Sequence, residues 1–169
     1  MCGIVGAIAR RNIAPILLDG LKRLEYRGYD SAGLAILRKG IGIKRLRVAG
    51  KVHALETALD ADPHNGEIGI AHTRWAPHGE PSVRNAHPHV CRDTVALVHN
   101  GIIENHESLR AKQIEAGHVF DSDTDTEVIV NCICDYIDSG LDLLESVKQT
   151  MRAIDGAYAL GVLAKSDEN

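Results

Sequence analysis

Five nearly continuous apolar runs constrain the fold more than any other feature of the chain. Residues 3–9, 32–37, 68–73, 94–99 and 157–163 carry almost no charge on either alternating face. A strand that is apolar on both faces must be covered on both faces, so these segments predict buried strands. Residues 43–48 read as a further, more exposed strand. Amphipathic helices supply the cover. Pro15 suits a first helical turn, and Leu17, Leu18, Leu21 and Leu24 then form one stripe that ends before Gly28. Residues 52–59 predict a short helix, and residues 104–116 a longer one with Gly117 at its C-terminal cap. Thr124 and Glu127 have the spacing of a capping box for a helix that turns Ile129, Val130, Ile133 and Ile137 inward. A last helix over 141–154 carries the stripe Leu144, Val147, Met151 and Ile154. Residues 74–88, with Pro77, Gly79, Pro81 and Pro88, predict a long ordered loop. Packed sheets flanked by helices are the economical architecture for this pattern.

A chain of 169 residues has room for one domain with a sizeable core. Aromatics make up only 4%, so that core must be aliphatic. The net charge of −4 offers nothing to nucleic acid or an anionic membrane. No apolar run reaches a membrane span. Arg10 and Arg11 follow the first apolar run, whereas a signal peptide has its charges before it. Cys2 stands where N-myristoylation requires glycine. The four cysteines, Cys2, Cys91, Cys132 and Cys134, show neither a disulfide framework nor zinc-knuckle spacing. A reducing cytoplasm is the default compartment.

Cys2 carries the most chemical information. If Met1 is removed, one residue holds both a thiol and a free α-amine, which ordinarily titrate near 8.5 and 8. The amine can take the thiol proton and return it to a leaving group, which is nucleophile and base in one residue. The plainer reading is a small buried hydrophobe at the terminus. Arg74 ends a predicted strand and suits a bidentate pair with a carboxylate, or a surface salt bridge. Trp75 either pins its loop by packing or forms part of a lid. Asn100 and Gly101 can present a side-chain amide and a backbone N–H as a two-donor oxyanion site. Asn-Gly is equally a strong turn dipeptide. Asp123, Asp125 and Glu127 complement a helix start, or Asp125 binds an ammonium group. His72, His78, His87, His89 and His99 invite a metal reading, against which stands the absence of a paired Cys/His spacing.

Together the segments Cys2-Gly-Ile-Val-Gly-Ala-Ile, Leu24-Glu-Tyr-Arg-Gly-Tyr-Asp-Ser-Ala-Gly33, Gly69-Ile-Ala-His-Thr-Arg-Trp75, Asn85-Ala-His-Pro-His89, Val98-His-Asn-Gly-Ile-Ile-Glu-Asn-His106 and Thr124-Asp-Thr-Glu127 closely resemble the glutaminase domain of the glutamine–fructose-6-phosphate aminotransferase (glucosamine-6-phosphate synthase) family. Cys-Gly-Ile marks class II glutamine amidotransferases generally, and the run ending at Gly33 is particular to this family. The resemblance implies an α+β fold, a four-layer αββα sandwich of N-terminal-nucleophile hydrolase type, over residues 2–169. It implies hydrolysis of the glutamine amide to glutamate and ammonia through a Cys2 thioester, with no cofactor and no metal. Catalysis then falls to Cys2, Asn100 and Gly101, and glutamine binding to Arg74, Trp75, His78 and Asp125. Arg74 would meet the α-carboxylate and Asp125 the α-ammonium. His78 would sit in the closing loop, Trp75 would gate ammonia, and Arg27 and Gly28 would lie beside the nucleophile. The implied partners are glutamine and a sugar-isomerase domain in a full-length homodimer.

Two departures from the family pattern stand out. Pro77 replaces the usual threonine and offers neither hydroxyl nor N–H, so Pro77→Thr is expected to lower the KM for glutamine. The chain also lacks the family's later strands and its isomerase domain, which predicts a C-terminally truncated domain. Two other classes of function remain at this stage. One is a non-catalytic amino-acid-binding or interaction module, as would follow if Met1 is retained or if the truncation disrupts the fold. The other is a histidine-rich metal site.

Overall fold

The computed structural model describes residues 2–25, 29–75 and 82–167. In chain order the elements are β1 (Gly3–Ile8), α1 (Ala14–Leu24), β2 (Ser31–Arg38), β3 (Gly42–Ala49), α2 (Val52–Ala61), β4 (Ile68–Arg74), β5 (His89–Cys91), β6 (Val95–Ile103), α3 (His106–Glu115), α4 (Thr126–Asp138), α5 (Leu143–Ala153) and β7 (Gly156–Ala164). One sheet has the order β1-β4-β2-β3 and the other β5-β6-β7, with every neighbouring pair antiparallel.

Alternation along the central strands explains why their sequences are apolar throughout. In β2, Leu34 and Ile36 pack with Leu17, Leu21 and Leu55 beneath α1 and α2. The intervening Ala35 and Leu37 pack with Ile70, Ala96, Val98 and Leu163 between the two sheets. In β6 the odd positions Val95, Leu97 and Ile103 meet Ile129, Ile133 and Cys134 of α4, while Ala96 and Val98 point the other way. Three apolar interlayers therefore alternate with four layers of backbone, in the order helix, sheet, sheet, helix. This is the αββα sandwich that the family resemblance implies. Each buried leucine or isoleucine contributes roughly 1.5–3 kcal/mol, so a two-faced strand such as β2 ties two cores together.

Several local expectations are corrected. β6 does not stop at Asn100-Gly101; it runs through both to Ile103 and pairs them with Ala159 and Tyr158 of β7. The dipeptide is therefore not a turn. A Cβ on Gly101, whose φ is +132°, would lie 2.1 Å from the Ala157 carbonyl oxygen, so the close approach of β7 requires glycine there. A short strand not expected from the sequence, β5, directly follows the stretch expected to be loop. The first and last strands are edge strands, so they are less covered than their composition suggests. Ile8 of β1 is 77% exposed and β7 is only half-buried for most of its length.

The capping box does not form either. Asp125 is the N-terminal cap residue of α4, with no side-chain capping bond to the first backbone N–H groups of the helix. The Glu127 carboxylate instead accepts from the Asp121 N–H (2.8 Å), the Ser122 N–H (2.7 Å) and the Ser122 hydroxyl (2.6 Å). The face of α5 is rotated from its expected stripe: Val147 and Ile154 join the core, but Leu144 and Met151 are exposed. Ser146 and Thr150 are fully buried in their place. Their hydroxyls donate to the carbonyls of Asp142 (2.7 Å) and Ser146 (2.9 Å), so these small groups are satisfied within their own helix.

Candidate active site

The inter-sheet core leads directly into the site. Ile4, Ile70 and Val98 belong to the layer between the sheets, and two residues further along the same strand faces stand Cys2, His72 and Asn100. His72 is paired in register with Ile4 on one side and Gly33 on the other. Its Nε2 lies 2.9 Å from Asn100 Oδ1 across the gap between the sheets. Asn100 Nδ2 donates to the Cys2 carbonyl oxygen at 3.1 Å. The Cys2 sulfur lies 4.0 Å from the Trp75 carbonyl oxygen. Cys2, Arg74, Trp75, Gly101 and Asp125 line one cleft of about 440 Å³.

Two latched segments form the far wall. Arg47 donates to the carbonyls of Arg84 (3.2 Å) and Ala86 (3.0 Å), holding the residues before His87. Arg84 pairs with Asp123 at 3.0 Å, and the Asn85 side chain accepts from the Asp123 N–H at 3.0 Å. Together with the three bonds to Glu127, these contacts fix the approach to Asp125. Asp125 Oδ2 accepts from the Ile103 N–H at 2.9 Å, and Oδ1 lies 3.7 Å from His99 Nδ1. Burial pushes the His99 pKa down, against the pull of Asp125. The ring is therefore neutral at pH 7, and the carboxylate charge is not spent on an imidazolium. Arg74 and Asp125 thus present opposite charges to a single cleft that also holds a thiol.

The histidines are structural neighbours of this cleft. His87 Nε2 and His99 Nδ1 both meet the Thr126 hydroxyl, at 2.8 and 3.0 Å. His89 Nε2 lies 3.0 Å from the Thr124 hydroxyl. The His72 and His87 rings are 4.3 Å apart. Burial holds His72 down at about 4 and depresses His87 and His89 strongly as well. Among the described residues, no three histidine, cysteine or carboxylate side chains are grouped as a metal site requires.

Six of the nine residues singled out from the sequence thus converge: Cys2, Arg74, Trp75, Asn100, Gly101 and Asp125. Trp75 is 51% exposed at the mouth, so its ring is not a packed pin for the loop. Arg27, Gly28 and His78 lie outside the described residues, as does Pro77. Sequence reasoning passed over Thr126 and gave His72 no role except as a metal ligand. The available signal was a histidine inside an otherwise apolar strand, in step with the inward-facing Ile70.

The family described as the glutamine amidotransferase domain matches residues 72–169. The chain is 53% identical over 167 residues to the isomerizing glutamine–fructose-6-phosphate aminotransferase of Shewanella oneidensis, covering 99% of this chain and 27% of that protein. It is 56% identical over 164 residues to the enzyme of the same name from Pseudomonas aeruginosa, covering 97% and 27%. It therefore spans about a quarter of the length of these curated relatives. Among solved structures, the glutamine phosphoribosylpyrophosphate amidotransferase from B. subtilis superposes with a TM-score of 0.82 at 22% identity, covering 98% of this chain and 35% of that one. A structure described as the allosteric regulatory enzyme of purine biosynthesis gives 0.80 at 26% identity, covering 97% and 35%. On the match to residues 72–169, more than half of its length, the chain belongs to the glutamine amidotransferase domain family.

Proposed function

We propose that residues 2–169 are part of a type-2 glutamine amidotransferase domain that hydrolyses the side-chain amide of free glutamine once Met1 is removed. The observation that carries this is the Cys2 thiol in one cleft with a guanidinium, a carboxylate and an oxyanion-type donor. Arg74 forms a bidentate pair with the substrate α-carboxylate, and Asp125 accepts from the α-ammonium. A zwitterion held at both ends delivers its amide at a fixed reach, and asparagine is one methylene too short. The freed α-amine takes the thiol proton as sulfur attacks the amide carbon. The carbonyl oxygen becomes an oxyanion held by the Asn100 amide and the Gly101 N–H. The amine then gives its proton to the departing nitrogen, the C–N bond breaks, and ammonia leaves a γ-glutamyl thioester. Water adds to the thioester and expels the thiolate, giving glutamate.

A binding module without turnover would need Cys2 only as a small hydrophobe. That fits poorly with a residue that lines the cleft and whose carbonyl is held by Asn100. In the full-length protein the ammonia feeds glucosamine-6-phosphate synthesis from fructose-6-phosphate on a sugar-isomerase domain, within a cytoplasmic homodimer. The 53–56% identity to aminotransferases of that name supports this assignment. No helix among the described residues is long and apolar enough to cross a membrane. Within this scheme Trp75 gates ammonia, and His78, Arg27 and Gly28 keep the supporting roles that the resemblance implies for them.

The test is a glutaminase assay on protein whose N-terminus is verified by mass spectrometry. Equal release of glutamate and ammonia is expected from the Met1-cleaved form, and none from protein that retains Met1. Equal turnover by both forms would exclude the amine as base.

A further inference from the structure

We infer that His72 is a positioning residue that sets which way the Asn100 amide faces, a role that rests on the glutaminase reading above. The Cys2 carbonyl oxygen can only accept, so the Asn100 atom 3.1 Å from it must be the NH2 group. The Asn100 oxygen then faces His72 Nε2 at 2.9 Å, and that nitrogen must carry a hydrogen. His72 is thereby assigned as the Nε2–H tautomer, donating to Asn100 Oδ1. Its Nδ1 is left as a bare acceptor, without a partner among the described residues.

The bond matters because an asparagine amide is nearly symmetric in shape. Turned by half a rotation about its terminal torsion, Asn100 would present oxygen to Cys2, an acceptor facing both the Cys2 carbonyl and a developing oxyanion. The Cys2 carbonyl disfavours that state from one side, and a donor on the other side penalises it again; His72 is that donor. An NH2 group carries two hydrogens, so one can serve Cys2 and the other the substrate oxygen. The ring is well placed for a fixed role. It is 1% exposed, flanked in register by Ile4 and Gly33, and stacked near His87. Burial keeps it neutral through the physiological range, against the pull of the Asn100 side chain and the His99 backbone, with His87, His89, His99 and Arg74 as the charged or titratable groups around it.

The experiment combines kinetics on two variants with the tautomer of the wild-type ring. His72→Phe keeps the ring volume and removes the donor. His72→Gln places an amide N–H near the position of Nε2. With Met1-cleaved protein, His72→Phe is expected to lower kcat roughly 100-fold, the scale of losing one oxyanion donor, with KM for glutamine within about threefold of wild type. His72→Gln is expected to recover most of that loss. Nitrogen-15 NMR of the wild type should show His72 protonated at Nε2 at neutral pH. A His72→Phe enzyme with wild-type kcat, a His72→Gln variant no better than the phenylalanine, or a ring protonated at Nδ1 would each overturn the inference. If the phenylalanine variant does not fold, the glutamine variant and the tautomer still decide it. If the wild type does not hydrolyse glutamine, the functional proposal fails on that result alone, and the tautomer alone decides whether His72 orients Asn100.

Discussion

Replacing Asp125 by asparagine isolates the charge at the ammonium end of the cleft. Asp125 Oδ2 accepts from the Ile103 N–H at 2.9 Å, and asparagine retains one oxygen for that bond. The bond then dictates the orientation of the new amide: its oxygen stays on Ile103 and its NH2 turns toward the cleft. The substrate ammonium would therefore lose a charged acceptor and meet a donor in its place. A hydrogen bond to a charged group is worth about 1.5–3 kcal/mol, which converts to a roughly 10- to 150-fold rise in KM for glutamine. Because the amide carbon reacts at the other end of the substrate, kcat should fall much less than kcat/KM. The stability cost is smaller, since removing one negative charge from the start of α4 forfeits about 0.3–1 kcal/mol. Steady-state kinetics with glutamine, alongside thermal unfolding of the same preparations, separates the two effects. A KM within threefold of wild type in a folded Asp125→Asn protein would refute the assignment of Asp125 to the ammonium. A parallel collapse of Tm would point to the cap of α4 instead.

Other perturbations probe different parts of the chemistry. Cys2→Ala should abolish glutamate release while leaving thermal unfolding unchanged, and release at the wild-type rate would end the thiol mechanism. Gly101→Ala should destabilise the fold by at least about 2 kcal/mol and remove activity. Its Cβ would sit 2.1 Å from the Ala157 carbonyl oxygen at a φ of +132°, and a wild-type urea midpoint would show that β7 yields easily. Stability should also fall on acidification. His72, His87 and His89 have folded-state pKa values below that of an exposed histidine, with His72 at about 4, so their contribution is present above about pH 6.5 and lost as pH falls toward 4. Each neutral buried ring is worth up to about 1.4 kcal/mol per pH unit over that window, and a urea midpoint unchanged between neutrality and about pH 5 would contradict it.

Much of this molecule was legible in its sequence, and the errors share a physical origin. Strands covered on both faces announce themselves, as residues 32–37 and 68–73 did, because two cores demand apolar residues at every position. Edge strands do not follow that rule, since coverage depends on neighbours remote in sequence, and β1 and β7 were read as more buried than they are. The Asn100-Gly101 pair carries turn chemistry, yet it lies within β6 because tertiary pairing with β7 overrides a local preference. Thr124 and Glu127 have capping-box spacing, but Glu127 finds three donors in the preceding segment and is drawn away. The apolar stripe expected on α5 misleads at Leu144 and Met151 because serine and threonine can satisfy their own hydroxyls and be buried without penalty. In the site, Arg74, Asn100, Gly101 and Asp125 were marked by chemistry joined to position at predicted element ends, although Asn100 and Gly101 lie inside β6. The roles of His72 and Thr126 depend on contacts between segments that no local pattern encodes.

The alternation that builds the core also aims the site. Ile4, Ile70 and Val98 face the space between the sheets, and Cys2, His72 and Asn100 occupy the next positions of the same frames. Shifting any of the three strands by one residue would carry its polar group to the opposite face together with its isoleucine or valine. The apolar side chains therefore penalise the wrong register of the polar ones. The other frame of β6 does parallel work, since Leu97 packs on α4 and His99 meets Thr126 at the start of that helix, beside Asp125. The nucleophile and its amide donor are thus set by one interlayer and the carboxylate by the next. β6 belongs to both, so the distance between the reacting end and the recognition end of the cleft is a property of a single strand. A substrate of fixed length is what such a construction can measure.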